Sequence, residues 1–234
     1  MKKLILLTCI ASYILLFSSC DKVADATNVC AKKWVSVKPL STSTATAAIN
    51  AGALVLSAPN LVAGVNLTVN QASVSGDFEA QAEFEDFNPG VLTDTCTAFF
   101  QFAAIPMAEA EVANTGIANV SSGLASSIFA GSNATTKGFI NQGGNLKGTL
   151  KIKRTGSALT ITTIVYYKNL IGVIEPITST ATKADYGTST VNIGFQLGAI
   201  QNVNKPIHVN ITNFSITGGG VLAKSDSFDC NSVL

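Results

Sequence analysis

One arginine, one histidine and one tryptophan occur in the 234 residues of this chain, and charged side chains make up only 12% of it. With Arg154 as the sole guanidinium and a formal net charge of +1, no basic stripe exists to neutralise a row of phosphates. Nucleic acid is therefore not an expected partner. With His208 alone, no histidine cluster of zinc spacing and no triad can be built without that one residue. Glycine-rich phosphate loops and dinucleotide fingerprints are absent too. Cysteines are few. Beyond Cys9 and Cys20 only Cys30, Cys96 and Cys230 remain. In an oxidising compartment the best pairing joins Cys30 to Cys230, because chain ends often lie close together, and leaves Cys96 as a buried thiol. Pairing of Cys30 with Cys96 is the rival connectivity.

What is present begins with a basic start, Met1-Lys2-Lys3, an apolar run from Leu4 to Phe17, and the closing sequence Phe17-Ser18-Ser19-Cys20. The run is short for a membrane span and ends in small residues. It resembles a bacterial lipoprotein signal peptide, which implies cleavage before Cys20, lipidation of Cys20, and a mature protein anchored in the cell envelope, at the outer membrane. An ordinary secretory signal cut near Ser19 is the alternative. Residues 1–19 then form the signal, residues 20–47 a lipidated N-terminus and tether in which Trp34 to Val37 is open as a first strand, and residues 48–234 a single domain. Loss of Lys2 and Lys3 leaves the remainder nearly neutral, so membrane attachment would come from the lipid. No protein partner is readable.

From Ala53 onward short segments rich in β-branched residues alternate with turn signals, and helical periodicity is lacking. The spacing predicts an all-β antiparallel sandwich. Phe78, Ala80, Ala82 and Phe84 share one parity and Asp77, Glu79, Gln81, Glu83 and Glu85 the other, so one face packs and the other meets water. Thr149 to Lys153 and Leu159 to Thr162 flank Arg154-Thr155-Gly156-Ser157 and read as a hairpin. Leu40 to Ala48 is equally compatible with a linker and with an irregular edge.

Three segments, in order, look like the concanavalin A-like lectin and glucanase superfamily of jelly rolls: Val74 to Phe84, Gly148 to Thr160, and Val191 to Phe195 followed by Ile207 to Ile216. The resemblance implies two facing antiparallel sheets and a concave face that commonly receives a glycan. Gly76-Asp77-Phe78-Glu79-Ala80, then Ala98-Phe99-Phe100-Gln101-Phe102, then Glu109-Ala110-Glu111-Val112-Ala113-Asn114 are similar to the strands of laminarinase-type glycoside hydrolases. That similarity implies Glu109 at the nucleophile, Glu111 at the intervening Asp, and Asn114 where an acid/base Glu belongs. An amide cannot trade a proton near neutral pH, so the implied site is catalytically crippled.

The residues themselves leave a blander option: Glu109 and Glu111, about 7 Å apart on one strand face, suit water as readily as a polar ligand. The row Glu79, Glu83 and Glu85 would admit Ca²⁺, but ligands in a straight row do not converge, so a solvated face is expected. His208 is expected on the surface. Asn66-Leu67-Thr68, Asn133-Ala134-Thr135 and Asn210-Ile211-Thr212 match the glycosylation acceptor and say little beside a bacterial-type signal. With Trp34 placed near the tether, Phe100, Tyr166, Tyr167 and Tyr186 are left as aromatic platforms, and Tyr166 and Tyr167 should face opposite ways. The expected function is non-catalytic binding of a carbohydrate or other polar ligand through Gln101, Glu109, Glu111, Asn114 and Tyr166. A glycoside hydrolase and a structural or partner-binding surface protein are the rivals. No metal or cofactor is called for.

Overall fold

The computed structural model describes residues 34–88, 98–106, 113–120, 125–130, 135–140, 145–220, 224–226 and 228. Among these residues every regular element is a strand. In chain order they are β1 Val35–Val37, β2 Thr46–Asn50, β3 Ala53–Ala58, β4 Gly64–Val74, β5 Phe78–Phe87, β6 Ala98–Pro106, β7 Ala113–Val120, β8 Ala125–Ala130, β9 Thr135–Phe139, β10 Leu146–Thr155, β11 Ala158–Lys168, β12 Ile174–Lys183, β13 Val191–Ala199, β14 Ile207–Gly218 and β15 Lys224–Asp226. Cys20, Cys30, Cys96 and Cys230 lie outside the described residues, and with them the anchor and both disulfide pairings.

The strands form two sheets. One has seven strands in the order β1-β4-β13-β6-β7-β8-β9; the other has eight, in the order β12-β11-β10-β5-β14-β3-β2, with β15 also on β14. The pairings are antiparallel. Consecutive β4 and β5 belong to opposite sheets, as do β13 and β14, so the chain crosses the sandwich at Ser75-Gly76-Asp77 and again after Ala199. The expected all-β sandwich is the fold of the chain. Leu40 to Ala48, left open by its composition, becomes edge strand β2 from Thr46 onward, paired to β3.

Alternation creates the core. On β5, Phe78, Ala80, Ala82 and Phe84 are buried while Glu83 and Glu85 are exposed, as the period of two requires. The small side chains of Ala80 and Ala82 leave room for large neighbours; Ala82 faces Phe214 across the β5–β14 pair. Phe195 is the hub of an aromatic column, stacked on Phe102 at 5.1 Å and on Phe100 at 6.0 Å between ring centroids. Trp34 joins it, 1% exposed, with its ring 5.6 Å from Phe195, 5.1 Å from Phe214 and 5.6 Å from Phe228. The placement of Trp34 near a tether is therefore corrected: it is a central core residue. Burial of a large ring outweighs its position next to a polar N-terminal segment.

Two local devices shape the strands. The hairpin of β10 and β11 turns through Gly156-Ser157, with Thr155 opposite Ala158 and Gly156 at φ 59°, a value that glycine tolerates without strain. On β5, Glu85 and Asp86 together oppose Lys147, so a bulge inserts one residue and turns Phe87 back into the core. Asp86 takes φ 58° there, and its carboxylate accepts hydrogen bonds from Asn145 Nδ2 at 3.2 Å and Asn210 Nδ2 at 3.0 Å.

Candidate functional site

The outer face of the seven-stranded sheet carries a row of uncharged polar side chains. Thr68 on β4 is in register with Gln196 on β13, Gln196 with Gln101 on β6, and Gln101 with Gly116 on β7. Strand spacing of about 4.8 Å lets neighbouring amides meet. Gln101 Nε2 donates to Gln196 Oε1, and Gln196 Nε2 donates to Thr68 Oγ1 at 3.4 Å. The row points away from the core, yet Gln101 is only 8% exposed and Gln196 9%.

A second row runs beside it through Asn70, Gly194, Ala103 and Asn114. Glycines keep the floor flat. A Cβ at Gly116 would come 2.9 Å from Gln101 Cβ, and one at Gly194 would come 2.6 Å from Asn70 Oδ1. That Asn70 carbonyl oxygen is buried without a hydrogen-bond partner, an acceptor with capacity for an incoming donor. Farther along, the Ser73 hydroxyl donates to Asn192 Oδ1 at 2.6 Å. None of the seven strands of this sheet contains an Asp or a Glu. The face offers amides and hydroxyls, with no carboxylate from its strands.

The expected site residues divide. Gln101 lies in the first row, and Asn114 stands at a register position of the second, opposite Ala103. Glu109 and Glu111 lie outside the described residues. Tyr166 is on β11 of the other sheet, exposed on its outer face, so it is not brought to Gln101. The other aromatic platforms are structural. Phe100 is fully buried, Tyr186 donates its hydroxyl to Ala104 O at 3.1 Å, and Tyr167 packs its ring 4.8 Å from Phe139. Tyr166 and Tyr167 do face opposite ways along β11.

The acidic row of β5 is on the outer face of the eight-stranded sheet. Lys151 Nζ lies 2.6 Å and Lys153 Nζ 3.7 Å from the Glu79 carboxylate, and the hydrogen bond from Lys151 holds Glu79 below the usual carboxylate range. Among the described residues no three His, Cys, Asp or Glu side chains converge as a metal shell would need. His208, partly exposed on β14, exchanges backbone contacts with Asn88, whose Oδ1 accepts its N–H at 2.9 Å.

Gln196, Thr68 and Asn70 were not among the expected site residues. Their signal was in the sequence as polar or small residues at alternate positions of otherwise apolar strands: Thr68 and Asn70 on β4, and Asn192, Gly194, Gln196 and Gly198 on β13. Such alternation marks a sheet face that is closed off without being hydrophobic.

No protein-family model matches the chain, and no curated protein is similar to it. Solved structures are similar in fold. An alginate lyase from Klebsiella pneumoniae superposes with a TM-score of 0.50 at 9% identity, over 81% of this chain and 96% of that one. Lectin I-B4 from Griffonia simplicifolia superposes with a TM-score of 0.47 at 12% identity, over 85% of this chain and 95% of that one. Peanut lectin superposes at 0.44 with 12% identity, over 79% and 98%. At such identities the likeness is one of architecture, and the architecture is the concanavalin A-like jelly roll.

Proposed function

We propose that this chain is an envelope-anchored protein that binds a carbohydrate, without catalysis, on the outer face of its seven-stranded sheet. The observation that carries the reading is the Thr68–Gln196–Gln101 row, set in strands that contain no carboxylate. Each amide supplies both donors and an acceptor, the pairing that vicinal sugar hydroxyls require, and the unpartnered Asn70 Oδ1 is ready to accept a hydroxyl proton. Asn114 borders these residues in the second row. The alginate lyase of the same fold supports a saccharide as the ligand class. The strands of this face supply no carboxyl group, and in the implied glycosidase motif Asn114 stands where the acid/base Glu belongs, so the proton donor that hydrolysis needs is lacking from it. Glu109 and Glu111 remain part of the proposal as contacts from the segment preceding β7. Lipidation at Cys20 completes it by holding the domain in the envelope.

A glycan array with neutral and acidic polysaccharides, followed by titration calorimetry on the best binder, tests the reading. Binding should be lost in Gln101→Leu and in Gln196→Leu while the urea unfolding midpoint stays close to that of the parent. An array without any binder overturns it, and release of reducing ends from a polysaccharide would replace it by the glycoside hydrolase. Labelling with a fatty acid, abolished in Cys20→Ser, tests the anchor.

A further inference from the structure

The three most exposed large apolar groups among the described residues, Leu170, Ile171 and Ile174, lie at one hairpin tip. Between β11 and β12, Leu170 is 68% exposed, Ile171 83%, Val173 50% and Ile174 65%. Exposed aliphatic side chains so close together are uncommon on a protein surface and mark a contact. An apolar pocket of about 420 Å³ opens beside them, lined by Ile140, Tyr167, Asn169, Leu170 and Ile171.

Four backbone N–H groups of the tip are satisfied from within. Asn169 Oδ1 accepts the N–H groups of Ile171 at 3.1 Å and Val173 at 2.9 Å, Gly172 N–H donates to Asn169 O at 2.9 Å, and Asn169 N–H donates to Val173 O at 2.9 Å. The turn therefore carries its apolar side chains outward and these four donors inward, which lowers the cost of taking it out of water.

The surroundings are amphipathic and carry charges of both signs. Tyr166 is exposed just below the tip, with Lys147 opposite it on β10. The stem of Lys168 lies across the turn, its Cε 3.5 Å from where a Cβ on Gly172 would be. Lys137 is exposed on β9, two residues before the Phe139 ring that packs on Tyr167. The acid of the hairpin, Glu175, accepts hydrogen bonds from Asn169 Nδ2 at 2.7 Å and from the Tyr167 hydroxyl at 3.3 Å. Glu85 and Asp86 lie on β5 at the same end of the sheet, two strands from the tip and directly across from Lys147.

We propose that the β11–β12 tip docks into a lipid bilayer bearing anionic headgroups, with Leu170, Ile171, Val173 and Ile174 below the interface and Lys137 and Lys168 at headgroup level. Tyr166 sits at the boundary, where a ring with a polar end is favoured. Four aliphatic side chains hold weakly by themselves. They orient a domain whose attachment comes from elsewhere, the part that a lipid on Cys20 would play. The inference stands apart from the carbohydrate reading, since its apolar tip belongs to the other sheet.

The test places a fluorescent reporter at each end of the same hairpin stack in the full chain. Ile171→Trp reports on the tip, Ser157→Trp on the far turn of β10 and β11, and native Trp34 is a buried constant background. Vesicles of phosphatidylcholine with and without phosphatidylglycerol, made with brominated acyl chains, are added to each. The expected result is a blue shift and quenching at position 171, stronger with phosphatidylglycerol, with little change at position 157. Adding Val173→Asp to the tip reporter should lower vesicle partitioning about tenfold or more, with an unchanged unfolding midpoint. No shift at 171, equal quenching at both positions, or indifference to Val173→Asp overturns the proposal. A blue shift at 171 that grows with protein concentration before any vesicle is added also overturns it, in favour of a second copy as the occupant.

Discussion

The guanidinium carbon of Arg154 stands 5.0 Å from the centroid of the Phe78 ring, and the whole side chain is buried. Nε donates to Gly76 O and Nη1 to Ser189 O, both at 2.6 Å, so one residue of β10 ties the β4–β5 crossing to the connection that precedes β13. Burial lowers its pKa from the ordinary arginine value, and the cation is kept by the ring and the carbonyls. Arg154→Ala should destabilise the fold by about 3–5 kcal/mol, since it removes a packed side chain and leaves two inward carbonyls unpaired. Arg154→Lys should recover only part of that, because an ammonium cannot span both acceptors in the plane of the ring. Urea unfolding of the three proteins measures this.

Glu79 provides a pH-dependent term of known sign. Its folded pKa lies below its unfolded one, chiefly through the hydrogen bond from Lys151, with burial opposing. The contribution is therefore present above the unfolded carboxyl value and lost as pH falls through the folded one. The pair is more than a third exposed, so Glu79→Gln should cost less than about 1 kcal/mol at neutral pH. The gap between the two proteins should close in acid and shrink in high salt. A gap that ignored both pH and salt would assign the effect to packing instead.

Thr115 on β7 and Thr163 on β11 hydrogen-bond through their hydroxyls from opposite sheets, both fully buried. Thr163→Val should cost about 1–3 kcal/mol by removing this buried hydrogen bond. A double-mutant cycle with Thr115→Val should return a coupling of about 0.5 kcal/mol or more, as expected for groups in contact. Strict additivity would mean that the sheets are not joined at this point.

Trp34 and Ile171 make opposite predictions from similar chemistry. Trp34→Ala removes a ring from the aromatic column and should cost about 3–5 kcal/mol. Ile171→Ser, at the exposed tip, should change stability by about 0.5 kcal/mol or less. Thermal unfolding of the two variants beside the parent checks both.

Sequence alternation made the interior of β5 readable residue by residue, because a buried face and a wet face differ in polarity at every step from Phe78 to Glu85. It also revealed the β10–β11 hairpin, where Gly156 marks the turn. Strand order was not readable, since the contacts of β5 with β14 and of β4 with β13 join segments more than a hundred residues apart. The Thr68–Gln196–Gln101 row suffered from the same gap. Each residue is an ordinary polar position on its own strand, and only the register makes them a group. The exposure of Leu170 to Ile174 was not readable either, because an apolar run in a turn has the composition of a core strand until its neighbours are known.

The position of β14 has a consequence for how the protein comes into being. It occupies the middle of the eight-stranded sheet, between β5 and β3, although it follows both by more than a hundred residues in the chain. Until it emerges, β5 and β3 have no neighbour on that side, and Phe214 is missing from the ring of aromatics around Trp34. A polypeptide that lacks β14 cannot close the sandwich, so burial of the greasy centre waits for this one strand.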